Sequence, residues 1–400
     1  MEKFIYIFLW FFVFSIPWDE SVHLFGNGTL NKFIGLVFGL VSFLLILRRR
    51  EISRPGVFLV LFSVYVAWGF VTYFWTVSSP LTIARLITDV QLLLMCWLFA
   101  EIGYTPRRRA FLLDAYVLGA FVSVINLIYN YSQNNGMGEY NTRFTAVGMD
   151  PNELGLTIAI SIPIAWHLSI RYKKSILSWI YQFYIFGALF AILLTASRSG
   201  LIEASIGLVF ILFTLKKMDK LRTCIFIIVF AYLTIYSLSS VPEVIFQRLG
   251  TIGQQVSTGD LNDRTTIWAA GIKAFEDNPI FGYGAGAYPI EVQKFLGYSM
   301  LAHNSYISVL VERGLIGLCI YVSIILLSIW RCLQFSSTVK LLWLSVLTIF
   351  LLGTSGLTWE YNKITWFIFA MLGQWEYERR ESLRPNQVGL KHNNVHPIFS

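Results

Sequence analysis

The residues best suited to chemistry stand in polar turns between long apolar runs. His303-Asn304-Ser305-Tyr306 closes one polar stretch and opens an apolar one. Asn304 or Ser305 in that place caps a helix. The positive end of that helix disfavours an imidazolium, which keeps His303 neutral near pH 7 and able to act as a general base. A histidine with only a capping role fits the same residues equally well. Arg143, Arg198 and Arg264 lie in three separate polar turns: Arg143-Phe144-Thr145, Thr195-Ala196-Ser197-Arg198-Ser199-Gly200 and Asp263-Arg264-Thr265. Guanidinium forks grip phosphate bidentately and stay charged in a low dielectric. Their convergence at one membrane surface points to a phosphate or pyrophosphate ligand. The alternative is that each reaches independently for lipid headgroups.

Other polar groups carry weaker signals. Arg85 sits at a depth where a charge marks a functional site by default, but Asp89 follows one helical turn on, and a structural Arg85–Asp89 ion pair is expected. The carboxylates Glu139, Asp150, Asp260, Asp263, Glu276, Asp277 and Glu291 are scattered, with no Asp-x-Asp pair to hold a hard cation. No metal and no cofactor is expected, and arginines supply the counter-charge instead. Gly282-Tyr283-Gly284-Ala285-Gly286-Ala287-Tyr288 has the glycine alternation of a phosphate loop, but nothing before it reads as a strand followed by a helix opening. It reads as a tight, close-packed turn. His23, His167, His392 and His396 have no comparable surroundings. Cys96, Cys224, Cys319 and Cys332 stand in or beside apolar runs with no metal-ligand spacing, and no disulfide framework is expected.

The elements that must hold these groups follow from composition. Of 400 residues, 56% are apolar, 16% aromatic and only 14% charged, where a soluble domain carries about a quarter charged. That excludes an ordinary soluble protein. The apolar runs are continuous, which excludes an outer-membrane barrel with its alternation of period two. A spanning helix needs about 20 apolar residues. Twelve stretches qualify: 4–17, 32–47, 55–74, 83–102, 110–131, 152–170, 176–195, 200–215, 223–241, 305–330, 341–358 and 363–375. The expected fold is an all-α polytopic membrane protein. The first stretch lacks a small-residue cleavage site and is read as a membrane helix.

The basic clusters Arg48-Arg49-Arg50, Arg107-Arg108-Arg109, Arg171-Tyr172-Lys173-Lys174, Lys216-Lys217 and Arg379-Arg380 fall on alternate connections. Such clusters stay on the cytoplasmic side, which puts both termini there. The net charge of +8 therefore records topology and not a nucleic-acid surface. Residues 1–241 make nine spans with short connections, 242–304 a large loop on the outer face, 305–375 three more spans, and 376–400 a polar cytoplasmic tail that carries Pro385 and Pro397. Within the large loop Asp263 is expected to cap an amphipathic helix whose apolar face is Ile267, Trp268, Gly271, Ile272 and Phe275, stopped by Pro279. A smaller outer loop, about 132–151, ends in Asp150-Pro151-Asn152.

Several of these blocks together resemble the O-antigen ligase family. His303-Asn304, then nine residues, then Gly314-Leu315-Ile316-Gly317 is similar to that family's signature, as is Asp263-Arg264-Thr265-Thr266-Ile267-Trp268 followed by Asn278-Pro279-Ile280-Phe281-Gly282-Tyr283-Gly284. Arg143-Phe144 with Pro151-Asn152, and Ser197-Arg198-Ser199-Gly200, resemble its shorter blocks. The resemblance runs from about the fourth span to the tenth. It implies a bacterial inner-membrane glycosyltransferase, wholly membrane-embedded (GT-C-like), with its active site facing the periplasm. The implied donor is an O-antigen chain on undecaprenyl pyrophosphate, and the implied acceptor is the core oligosaccharide of lipid A. His303 would be the base of an inverting displacement, with Arg198, Arg264 and Arg143 on the pyrophosphate. Asn304 and Asn152 would support them.

Three other readings compete. An O-antigen polymerase uses the same donor. A protein-directed oligosaccharide transferase is a further relative, expected to be longer. A twelve-span transporter or flippase also fits the span count, but the two halves do not correspond, and the polar residues gather toward one face.

Overall fold

The computed structural model describes residues 2–24, 28–50, 52–102, 106–136, 143–250 and 263–373. Glu139, Asp260, Trp375, Arg379-Arg380, Pro385, His392, His396 and Pro397 lie outside the described residues. The chain is an all-α polytopic membrane protein. Among the described residues, strand pairing is limited to a short antiparallel contact, β1 (His23–Leu24) with β2 (Gly28–Thr29), and an isolated bridge at Arg143.

Each of the twelve apolar stretches forms a helix, and ten of these helices are long and apolar enough to cross a bilayer. The two shorter ones are the first, α1 (Glu2–Ser15, 14 residues), which gives way to a 3-10 turn containing Pro17, and α15 (Lys363–Gly373, 11 residues). The chain divides into two compact units. The first holds residues 1–41, 110–258 and 341–353; the second holds 42–109, 259–340 and 354–400.

In the first unit α6 (Pro151–Arg171) is the centre, buried on nearly every face. It packs against α7 (Ile176–Leu194) and α8 (Arg198–Thr214). Helix α1 and most of α5 (Pro106–Ser132) also belong to this unit. So does α9 (Lys220–Ser240), which exposes Ile228, Tyr232 and Ile235. Such a surface would be a liability in water and suits a helix that faces hydrocarbon. The short helix α10 (Glu243–Gly250) follows and buries Ile245 and Leu249.

The second unit is built on α3 (Val57–Thr72), α4 (Ser79–Glu101), α13 (Ser305–Leu333) and α15, which pack on one another. Phe62 of α3 stacks on Trp366 of α15, ring centroids 3.4 Å apart. Two amphipathic helices, α11 (Arg264–Asp277) and α12 (Tyr288–Leu296), pack against each other and against α13. The buried face of α11 is Ile267, Ala270, Gly271 and Ala274. Ile272, expected on that face, is 39% exposed. Small residues occupy the seam because the Tyr288 ring and Ile307 come too close for larger ones.

Helices α2 (Leu30–Arg49) and α14 (Ser337–Thr354) have residues in both units. The span expected through residue 358 ends instead at Thr354. Leu357 and Trp359 are drawn into hydrogen bonds with Ser305, which a continuing helix could not make.

Candidate active site

In the second unit, His303 sits at the start of α13 with its backbone in the left-handed region (φ +45°). For a residue with a β-carbon that conformation is strained, and such strain gathers where the surroundings fix a side chain in place. The surroundings here are specific. Asn304 is the N-cap: its Oδ1 accepts from the Tyr306 N–H at 3.0 Å and the Ile307 N–H at 3.1 Å. On the other side, the Trp268 indole of α11 donates to the Ala302 carbonyl at 3.0 Å. Ser305 Oγ donates to the Leu357 carbonyl at 2.9 Å and accepts from the Trp359 N–H at 2.7 Å. His303 is therefore bracketed by fastened neighbours.

Arg264 is the first residue of α11, one turn before Trp268, so the same helix that steadies His303's neighbour carries this arginine. Asp263 holds the N-cap position, but its backbone is left-handed (φ +60°) and its side chain makes no capping bond. That corrects the expected cap: a capping side chain works from extended backbone, which Asp263 does not have. Tyr288 donates to the Ile267 carbonyl at 2.9 Å. Burial pushes its phenol well above the usual range, so it remains a neutral donor.

The glycine-rich segment is a clamp on a broken helix. Helix α13 is interrupted at Gly314 (φ +66°, ψ −170°). The break frees carbonyls, and the segment takes them up. Tyr283 N–H donates to the Val311 carbonyl at 3.0 Å, Gly284 N–H to the Glu312 carbonyl at 2.9 Å, and Gly286 N–H to Glu312 Oε2 at 2.7 Å. In return the Leu315 N–H donates to the Pro279 carbonyl at 2.9 Å. A β-carbon on Gly314 would lie 2.1 Å from the Ile280 carbonyl oxygen, so only glycine permits this approach. The backbone N–H groups of this segment are spent on protein, as a close-packed turn requires.

Asp89 pairs with Arg313, both 2% exposed, and not with Arg85. Side chains on a helix lean toward its N-terminus. Arg85 accordingly lies over the Tyr361 ring, its Cζ 2.9 Å from the centroid, while Asp89 meets the break in α13 where Arg313 arrives. Arg313 also donates to the Tyr65 carbonyl at 2.9 Å, and Trp68 donates to the Arg313 carbonyl at 2.9 Å. Sequence reasoning gave no role to Glu312, Arg313 or Glu360. The signal was available: two adjacent charges inside the apolar run 305–330, and an acid inside the last hairpin.

In the first unit a second polar centre forms. Arg143 Nε donates to the Thr195 carbonyl at 3.0 Å, and its Nη2 donates to Asn152 Oδ1 at 2.8 Å. Ser197 Oγ donates to the same Asn152 oxygen at 3.1 Å and accepts from the Gly200 N–H at 3.2 Å, capping α8. Asp150 caps α6 through the Asn152 and Glu153 N–H groups at 2.8 and 3.3 Å. Arg198, half-buried, is the first residue of α8. Arg143 and Asn152 are thus the fastening between the 143–152 loop and the turn that presents Arg198.

In one unit, then, Arg143 is bonded to Asn152 and Arg198 opens the adjoining helix; His303, Asn304 and Arg264 belong to the other. Cys96 and Cys332 are buried, and Cys224 and Cys319 are exposed; all four are free thiols.

Two comparisons bear on this arrangement. Residues 183–322, from α7 into α13, match the family model of the O-antigen ligases. The chain is also 26% identical over 232 residues to the ComP-specific O-oligosaccharyltransferase of Acinetobacter baylyi, an alignment covering 55% of this chain. The chain spans about two fifths (41%) of that relative's length. Through the matched segment, which carries Arg198, Arg264, His303 and Asn304, this chain is similar to the O-antigen ligases.

Proposed function

We propose that the chain is an inner-membrane glycosyltransferase. It moves an O-antigen chain from undecaprenyl pyrophosphate to the lipid A–core oligosaccharide at the periplasmic face. The observation that carries this reading is His303: an imidazole on strained backbone, bracketed by fastened neighbours and sharing a unit with Arg264. In the reaction an acceptor hydroxyl attacks the anomeric carbon of the donor sugar and the lipid pyrophosphate leaves, inverting that centre. His303 takes the hydroxyl proton, a role worth about 10²–10⁴-fold. Arg198, Arg264 and Arg143, in that order of weight, counter the charge that grows on the pyrophosphate. Arg143 contributes chiefly by holding the turn before Arg198. Asn304 fixes the helix start beside the base, and Asn152 fixes Arg143.

The reaction so written needs no metal. Full activity after exhaustive chelation is the expected result, and activity restored only by magnesium or manganese would count against it. The deciding experiment is reconstitution of purified protein with lipid-linked O-antigen and rough lipopolysaccharide, beside His303→Ala. Sugar transferred to lipid A–core, and lost in the variant, is expected. A lengthening ladder on the lipid-linked donor would make the protein a polymerase.

A second reading, transfer to a protein acceptor, has one observation in its favour, the similarity to a ComP-specific O-oligosaccharyltransferase. Transfer to a protein acceptor in place of rough lipopolysaccharide would establish it. The chemistry at His303 would be unchanged.

A further inference from the structure

Behind the start of α13 lies a buried acid that the reaction above does not use. Glu360, 3% exposed, stands in the turn 355–362 between α14 and α15. Neither oxygen of its carboxyl has a hydrogen-bond partner. Ser308 Oγ, Arg85 Nε and the Tyr361 hydroxyl are buried and unpartnered in the same way. An ionised carboxylate in such a place is costly unless paired and hydrogen-bonded. The surrounding charges do not pair it. Glu312 of α13 bears on it with a like charge, while Ser308 and the charge of Arg85 oppose that effect only weakly, neither within good hydrogen-bond or salt-bridge geometry of the carboxyl. Tyr321 of α13, Tyr65 of α3 and Tyr361 face it as further titratable groups. Arg313 of α13 is taken by Asp89 of α4, and Lys363 opens α15 three residues on. Glu312 at least holds the Gly286 N–H at 2.7 Å; Glu360 holds nothing.

We propose that Glu360 is a positioning residue that keeps its proton in the working protein, and that its neutrality lets the 355–362 turn stay packed against the start of α13. The turn is tied in on every other side. Ser305 bonds Leu357 and Trp359, Thr365 Oγ1 donates to the Trp359 carbonyl at 2.6 Å, and Trp366 donates to the Glu360 carbonyl at 2.8 Å. Ser305 is two residues past His303, so charging Glu360 loads the fastening on which His303 depends. Burial, and then the charge of Glu312, push the Glu360 carboxyl up to about 8, in the same direction. The sign for stability follows. The fold holds a proton that the unfolded chain releases near 4.5, so stability falls as pH rises from there through about 8, and is flat beyond.

The bearing of Glu360 on catalysis rests on the transferase reading; its protonation does not. Glu360→Gln keeps the shape and abolishes the titration. The thermal midpoint of the purified protein should fall between pH 6 and about 9 in the wild type. In Glu360→Gln it should fall less and lie higher at pH 9. The infrared difference between wild type and variant at pH 7 should contain a carboxylic-acid carbonyl band that fades as pH rises. Sugar transfer should lose its alkaline limb in Glu360→Gln while keeping full activity at pH 7. No acid band in the wild type, or a Gln variant less stable than wild type at pH 9, overturns the proposal. A Gln variant that passes both tests while neither protein transfers sugar leaves the protonation standing and removes the transferase reading instead.

Discussion

Arg313 and Asp89 form an ion pair with both side chains 2% exposed, joining the broken helix α13 to α4. Removing one partner strands the other as a buried charge, at a cost of about 3–5 kcal/mol. Asp89→Asn and Arg313→Met should therefore each fail to survive detergent extraction as a monodisperse species. Combining Asp89→Leu with Arg313→Met should recover most of the lost stability, since an apolar pair of similar volume needs no desolvation. Size-exclusion profiles after a heat step would check both expectations.

Gly314→Ala is expected to be among the most damaging small substitutions in the chain. The residue has positive φ, and the added carbon would meet the Ile280 carbonyl oxygen at 2.1 Å. Left-handed strain alone costs about 1–3 kcal/mol, and the clash adds to it. Leu315→Ala, one residue on and 43% exposed, should be close to neutral by the same thermal assay.

Trp268→Phe keeps the ring and deletes the donor to the Ala302 carbonyl. A hydrogen bond of this kind contributes about 0.5–1.5 kcal/mol. If Trp268 steadies the residue before His303, kcat should fall several-fold with KM little changed. An unchanged kcat would show that His303 is held well enough by Asn304 and Ser305.

Arg143→Lys and Arg198→Lys should behave differently. Lysine cannot serve the Thr195 carbonyl and the Asn152 amide oxygen with one rigid fork. Arg143→Lys should lower thermal stability, by about 1–3 kcal/mol, and reduce transfer as a consequence. Arg198→Lys should reduce transfer out of proportion to any change in stability, with a steeper salt dependence. Melting curves beside initial rates would separate the two.

Much of this was legible in the amino-acid sequence. Twelve apolar runs became twelve helices because length and continuity of apolar character determine a spanning helix with little help from context. His303 and Asn304 at a helix start, and the glycine segment as a turn, followed from local rules for caps and positive φ. What escaped depends on contacts far apart in the chain. The spacing of Arg85 and Asp89 allows a pair, yet Asp89 found Arg313, 224 residues away, because α13 breaks beside it. The break lies inside a stretch long enough to read as one span, marked only by the adjacent charges Glu312 and Arg313. Glu360 escaped because its burial depends on the turn 355–362 being fastened to Ser305, more than fifty residues upstream.

The separation of Asp89 and Arg313 also sets a schedule for biogenesis. At about 5–20 residues per second, the ribosome delivers the guanidinium about 10–45 s after the acid that needs it. Throughout that interval the fourth span must be shielded by the insertion machinery or by a membrane chaperone. The second unit cannot close until three quarters of the chain has been made. Nascent chains stalled before residue 313 should therefore be the ones that quality-control proteases recognise first.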